Sequence, residues 1–146
     1  MKKTIFLSLI ISLIIGSCTQ EKKSPMEGAW HVVSWERMKG DTLVGKFGRD
    51  YTGSEMKMWT KNHFAFVGRY KVDTVFMDNC GGGTFKLNGI HYEETYLYFP
   101  DQSYVGTYQR ILLELKNDTL TQTWPCDENW QVKKGLHNIQ KLTRLE

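Results

Sequence analysis

Hydrophobic positions fall along this 146-residue chain in two different patterns. Near the start, Ile5 to Ile15 form one continuous uncharged run. From Gly28 onward the apolar residues instead alternate with polar ones, the period of a strand with one buried face. In the first such segment Trp30, Val32 and Ser34 share one face, and His31, Val33 and Trp35 share the other. Met56 and Met58 alternate with Lys57 and Trp59, and a turn signal follows at Lys61-Asn62. Phe64, Phe66 and Tyr70 then alternate with His63, Val67 and Arg69. Phe85 and Leu87 lead into Asn88-Gly89, a dipeptide that suits a two-residue hairpin because both positions tolerate positive φ. On the return strand Tyr92, Glu94, Tyr96 and Tyr98 line one face. Ile111, Leu113 and Leu115 mark the next strand, Leu120, Gln122 and Trp124 another, and Ile139 to Leu145 the last. None of the three prolines interrupts these runs.

Seven or more short strands joined in order by tight turns predict an all-β domain. A single up-and-down antiparallel β-barrel of about eight strands is the economical arrangement, because closure removes exposed edges. A two-sheet sandwich is the alternative that periodicity leaves open.

The amino terminus carries a different message. Lys2 and Lys3 are positive, the apolar run is too short for a durable membrane span, and Gly16-Ser17 are small residues immediately before Cys18. This arrangement resembles the lipobox of bacterial lipoprotein signals. The resemblance implies a signal peptide over 1–17, an acylated tether over 18–26 and a β-barrel domain over 27–146. Two or more acyl chains on Cys18 would hold the chain to a bilayer. Thr19 stands where inner-membrane retention uses Asp, so the expected location is the cell envelope, lipid-anchored at the outer membrane on either of its faces.

Charge and cysteines narrow the partners. The 19 basic residues only slightly exceed the 16 acidic ones, and two of the basic ones belong to the signal. No polybasic surface for nucleic acid results, and the membrane is expected to be met through the N-terminal lipid. With Cys18 acylated, Cys80 and Cys126 remain, either as a disulfide in an oxidising compartment or as two separate thiols. Neither has a third ligand at metal spacing, so no metal site is expected.

Gly28-Ala29-Trp30 at the start of the first strand resembles the Gly-x-Trp signature of lipocalins. Arg144 resembles that family's C-terminal basic residue, which covers the tryptophan ring. Lys57-x-Trp59-Thr60-x-Asn62-His63-Phe64, Gly83-Thr84-Phe85 and Tyr92-Glu93-Glu94 are similar to segments of small lipocalin-like (calycin-type) lipoprotein domains of Gram-negative gut bacteria. The likeness implies a barrel whose two chain ends meet, with Arg144 over Trp30 in a cation–π contact of about 0.5–2 kcal/mol.

The interior decides between functions. Alternate residues of a small barrel point inward, and the expected inward set is Phe64, Phe66, Tyr70, Tyr92, Glu94, Tyr96, Tyr98, Gln122 and Trp124, with Met56 and Met58. If the inside is open, Tyr92, Glu94, Tyr96 and Tyr98 face a small hydrophobic or amphipathic ligand, and Phe64, Phe66 and Trp124 supply its apolar wall. A buried Glu94 is costly unless partnered, and a one-residue slip would exchange it for Glu93. If the inside is filled, the chain is an interaction or inhibitor barrel acting on an envelope protein through exposed Trp35, Trp59 and Trp130. No catalytic constellation is present: the four histidines are scattered, His91 and Glu93 form only an i, i+2 pair, and no nucleophile elbow or phosphate loop occurs. No enzyme activity, catalytic residue or cofactor is expected.

Overall fold

The computed structural model describes residues 23–145. Cys18, the expected signal peptide and the first part of the expected tether lie outside the described residues. Nine strands follow one another: β1 (Gly28–Lys39), β2 (Thr42–Lys46), β3 (Thr52–Trp59), β4 (His63–Val72), β5 (Val75–Asn88), β6 (His91–Tyr98), β7 (Tyr108–Lys116), β8 (Thr119–Trp124) and β9 (Leu136–Arg144). Each of β3 to β8 pairs antiparallel with the next, and β9 pairs back onto β1. Eight strands therefore close a barrel, with no free edge in the ring. The extra strand, β2, shares one edge of β1 with β3: β3 takes Gly28 to His31 and β2 takes Glu36 to Lys39. A short 3-10 turn, Gln102–Tyr104, interrupts the β6–β7 connection.

One end of the barrel is packed solid. Trp30, Val32, Tyr92, Ile111, Leu120 and Leu142 are essentially inaccessible to solvent, with Phe85 and Leu113 beside them. Each such apolar side chain contributes roughly 1.5–3 kcal/mol by leaving water. Met26 closes this floor from below, and its carbonyl accepts the Trp30 indole N–H at 2.8 Å. The Arg144 guanidinium lies 4.3 Å from the centre of the Trp30 ring. It also donates to the carbonyls of Glu27 (2.6 Å) and Pro25 (2.8 Å). First and last strands are thus fastened across the floor. Gly28 permits this crossing: its φ is +121°, a region that side-chain-bearing residues avoid. A Cβ there would also stand 2.8 Å from the guanidinium.

Two β-bulges set which residues face inward at the other end. On β1, Val32 pairs with Leu142 but Ser34 already pairs with Lys141, so one extra residue is inserted. On β6, Tyr96 pairs with Gly83 but Tyr98 pairs with Gly82, leaving Leu97 over. An inserted residue reverses the in–out alternation beyond it. Gly83 makes the second bulge feasible, since a Cβ there would fall 1.9 Å from the Thr95 carbonyl oxygen.

These bulges correct several sequence expectations. Trp35, expected outside with His31 and Val33, turns inward opposite Gln140. Tyr98, expected to face a ligand, is 73% exposed on the outer surface, and Phe99 takes the inward position instead. On β3 the parity is simply opposite to that expected. Trp59 is buried and Glu55 and Lys57 lie inside with it, while Met56 and Met58 sit on the outer face. Charge inside wins here because the charges are mutually partnered, as the site shows. Cys80 and Cys126 are both free thiols. Cys80 is on β5 and Cys126 follows β8, three strand spacings of ~4.8 Å round the barrel, beyond disulfide reach.

Candidate functional site

Above the packed floor the barrel interior stops being apolar. Glu55 and Lys57 project from β3, Asn79 from β5, Glu94 and Tyr96 from β6, Gln122 from β8 and Gln140 from β9, and most of these are buried. Glu55 collects the network. Its Oε2 accepts from the Tyr70 hydroxyl (3.0 Å) and the Asn79 amide, and its Oε1 accepts from the Gln140 amide (3.3 Å). The Lys57 ammonium lies 3.8 Å from the same Oε1 and donates to Gln122 Oε1 at 2.9 Å. Gly68, opposite Glu55 on β4, leaves the room: a Cβ there would be 2.8 Å from Glu55 Cβ.

Glu94 is held differently. Tyr96 donates its hydroxyl to Glu94 Oε1, and Tyr92, which itself accepts from the Trp59 indole N–H at 3.0 Å, lies beside it. Burial pushes the Glu94 carboxyl above its ordinary range; the Lys57 charge and the two hydroxyls pull it back in part, and the Glu55 charge pushes it up. The same burial, reinforced by neighbouring carboxylates, raises the phenols of Tyr70, Tyr92 and Tyr96. They therefore stay protonated and serve as donors.

Beyond this layer is a cavity of about 360 Å³. Glu55, Lys57, Glu94, Asn79 and Gln140 form its polar depth, with Ile111 and Gln109 from β7. Its walls are aromatic. Phe66, Tyr96, Phe99 and Tyr104 form one cluster, with ring centres between 4.7 and 6.4 Å apart. Trp35 stands on another side, tied to Asn138 by its indole N–H (3.1 Å) and packed edgewise on Tyr70. Trp124 completes the wall, 5.4 Å from the Lys57 ammonium. Asp101 lies at the rim, where its side chain caps the 3-10 turn through Ser103 N. Two buried amide groups are left over: Gln122 Nε2 and Gln140 Oε1 have no hydrogen-bond partner.

Of the residues expected to line an open interior, Phe66, Glu94, Tyr96 and Trp124 meet at this cavity. Phe64 and Tyr92 lie deeper, in the packed core, and Tyr98 is outside. Glu55, Lys57, Asn79, Gln140, Trp35 and Phe99 are among the lining residues that sequence reasoning missed. Glu55, Lys57 and Trp59 do alternate strictly, and that pattern was a usable signal. The proposed exposed set fares differently: Trp59 is buried, Trp35 lines the cavity, and Trp130, itself half-buried, lies outside the barrel interior, stacked on His91 at 4.4 Å. Arg110 lies 5.6 Å from the centre of the Trp130 ring and pairs with Glu93 at 2.9 Å, which engages both members of the His91–Glu93 pair. No family model and no curated protein matches this chain.

Proposed function

We propose that this chain is a lipid-anchored, lipocalin-like binding barrel of the outer membrane that holds a small amphipathic molecule in its cavity. The volume of about 360 Å³ falls in the range of small-molecule sites, which combine apolar walls with a few fixed polar groups. Trp30 beneath Arg144, after a glycine of positive φ, supports the lipocalin likeness. The observation that carries the reading is Gln140. It is 2% exposed, lines the cavity, and leaves its Oε1 without a donor. Buried polar groups are normally satisfied, and this one, shielded from solvent by the lining, is completed where a lining side chain gives way to a ligand or water. The competing interaction-barrel reading loses two of its three surface tryptophans to the interior.

The test is native mass spectrometry of the full lipoprotein extracted from its own envelope. The wild type should carry a small-molecule adduct, and Phe66→Trp, which fills the cavity, should not. Absence of any adduct from the wild type, or an undiminished adduct on the variant, refutes the cavity as a binding site. The anchor is checked separately: Cys18→Ser should move the protein from the detergent phase to the soluble fraction.

A further inference from the structure

Three carboxylates and one ammonium line the cavity: Glu55 and Glu94 in its depth, Asp101 at its rim, and Lys57. These charges are not equally available. Glu55 already accepts from Tyr70, Asn79 and Gln140 and has Lys57 beside it. The Lys57 charge is answered in turn by Glu55 and by Gln122 Oε1 at 2.9 Å. Glu94 is the exception. It is buried yet partnered by a tyrosine hydroxyl rather than by a cation. The unpartnered atom of the lining residues, Gln140 Oε1, is likewise an acceptor.

We infer that the ligand is a small organic cation, an ammonium carried on an apolar body, with Glu94 as its counter-ion. The inference rests on the reading of the cavity as a ligand site and names its chemistry. An ammonium supplies the cation that the hydrogen-bond partners of Glu94 do not; a carboxylate ligand would instead face Glu94 and Asp101, with the lining ammonium of Lys57 already held by Glu55 and Gln122. The apolar body has a place as well, against Phe66, Phe99 and Trp124, while the Lys57 ammonium already lies 5.9 Å and 5.4 Å from the Phe66 and Trp124 ring centres. The direction of the Glu94 titration agrees with this: burial raises its carboxyl, and the Lys57 charge and two tyrosine hydroxyls draw it back only in part. Of the charged and titratable groups around it, Lys57, Tyr92, Tyr96 and Glu55, the sole cation is already engaged.

Isothermal titration of the full lipoprotein in detergent, near neutral pH, separates the possibilities with three probes that share a phenyl body: phenethylamine, phenethyl alcohol and hydrocinnamate. Phenethylamine should bind at least about tenfold more tightly than the alcohol, a difference of about 1.4 kcal/mol, and hydrocinnamate should give no heat. Glu94→Gln, checked for folding by its circular dichroism, should reduce phenethylamine to the level of the alcohol and leave the alcohol unchanged. Equal or tighter binding of the alcohol or hydrocinnamate, or an amine affinity untouched by Glu94→Gln, overturns the cation while leaving the cavity reading in place. No heat from any probe also overturns the cation, and the cavity reading then stands or falls on the adduct in the mass spectrum.

Discussion

The two ends of this barrel interior are built on the same alternation and obey opposite rules. Around Trp30 the inward positions are apolar or aromatic and packed, and the two buried indole N–H groups, of Trp30 and Trp59, find the Met26 carbonyl and the Tyr92 hydroxyl. Around Glu55, inward positions are charged or amide, and their hydrogen bonds are directional, crowded at one carboxylate and missing at Gln140 Oε1. Dispersion and water release need only close contact, so the floor can be complete without any ligand. A polar network needs every group matched, and here it is not. Stability therefore rests on one layer of the barrel, and the proposed recognition on the other.

Three experiments sharpen that division. The largest effect belongs to the floor. Trp30→Ala should cost on the order of 3–5 kcal/mol in urea unfolding, because it empties a fully buried site. Arg144→Ala should cost about 0.5–2 kcal/mol, the range of a cation–π contact. The double variant should lose less than the two separate losses combined, since the groups touch; strict additivity would mean that the guanidinium does not work through the ring.

A smaller effect belongs to the polar layer and depends on pH. Because burial raises the Glu94 carboxyl, against the pull of Lys57, Tyr96 and Tyr92 and with the push of Glu55, the folded state keeps this proton longer than the unfolded chain does. Its contribution to stability is full below the ordinary carboxylate range and is lost as pH rises through the raised value. Glu94→Gln lacks that loss. Urea midpoints measured from about pH 4 to pH 8 should therefore move in favour of the variant as pH rises; a constant difference would show that Glu94 titrates normally.

The smallest effect lies outside both layers. Tyr98→Ser should change stability by no more than about 0.5 kcal/mol and leave ligand binding intact, whereas Phe99→Ser should impair binding. A binding loss at Tyr98 would mean that the Leu97 bulge does not hold the register described.

Strand existence, order and closure were legible because alternation and the Asn88-Gly89 turn report local backbone preference. The inward faces of β4, β7 and β8 followed directly, since no bulge interrupts the alternation there. β1 and β6 were read correctly only up to the inserted residue. Nothing in Val33-Ser34 or Leu97 announces a bulge, and Gly83, which makes the second one possible, lies on the neighbouring strand. β3 failed for another reason. Met56 and Met58 were preferred inside over Glu55 and Lys57 on hydrophobicity alone, a rule that holds one way only. Lys57 is on β3 itself, but the hydrogen-bond donors that make burial of Glu55 tolerable come from β4, β5 and β9, and no local window contains them. The candidate site was thus half visible: its aromatic wall from strand patterning, its charges only from the closed ring.

Arg144 binds the Pro25 and Glu27 carbonyls on the underside of the floor, and the cavity opens at the opposite pole. The molecule consequently has a base and a lip. Any attachment made upstream of residue 23 grips it by the base, and a tug transmitted along the chain arrives first at the Trp30–Arg144 clasp, where the wall is densest. The lip feels little of that load and keeps its full approach to the surroundings, so a molecule could come and go while the base is held fast.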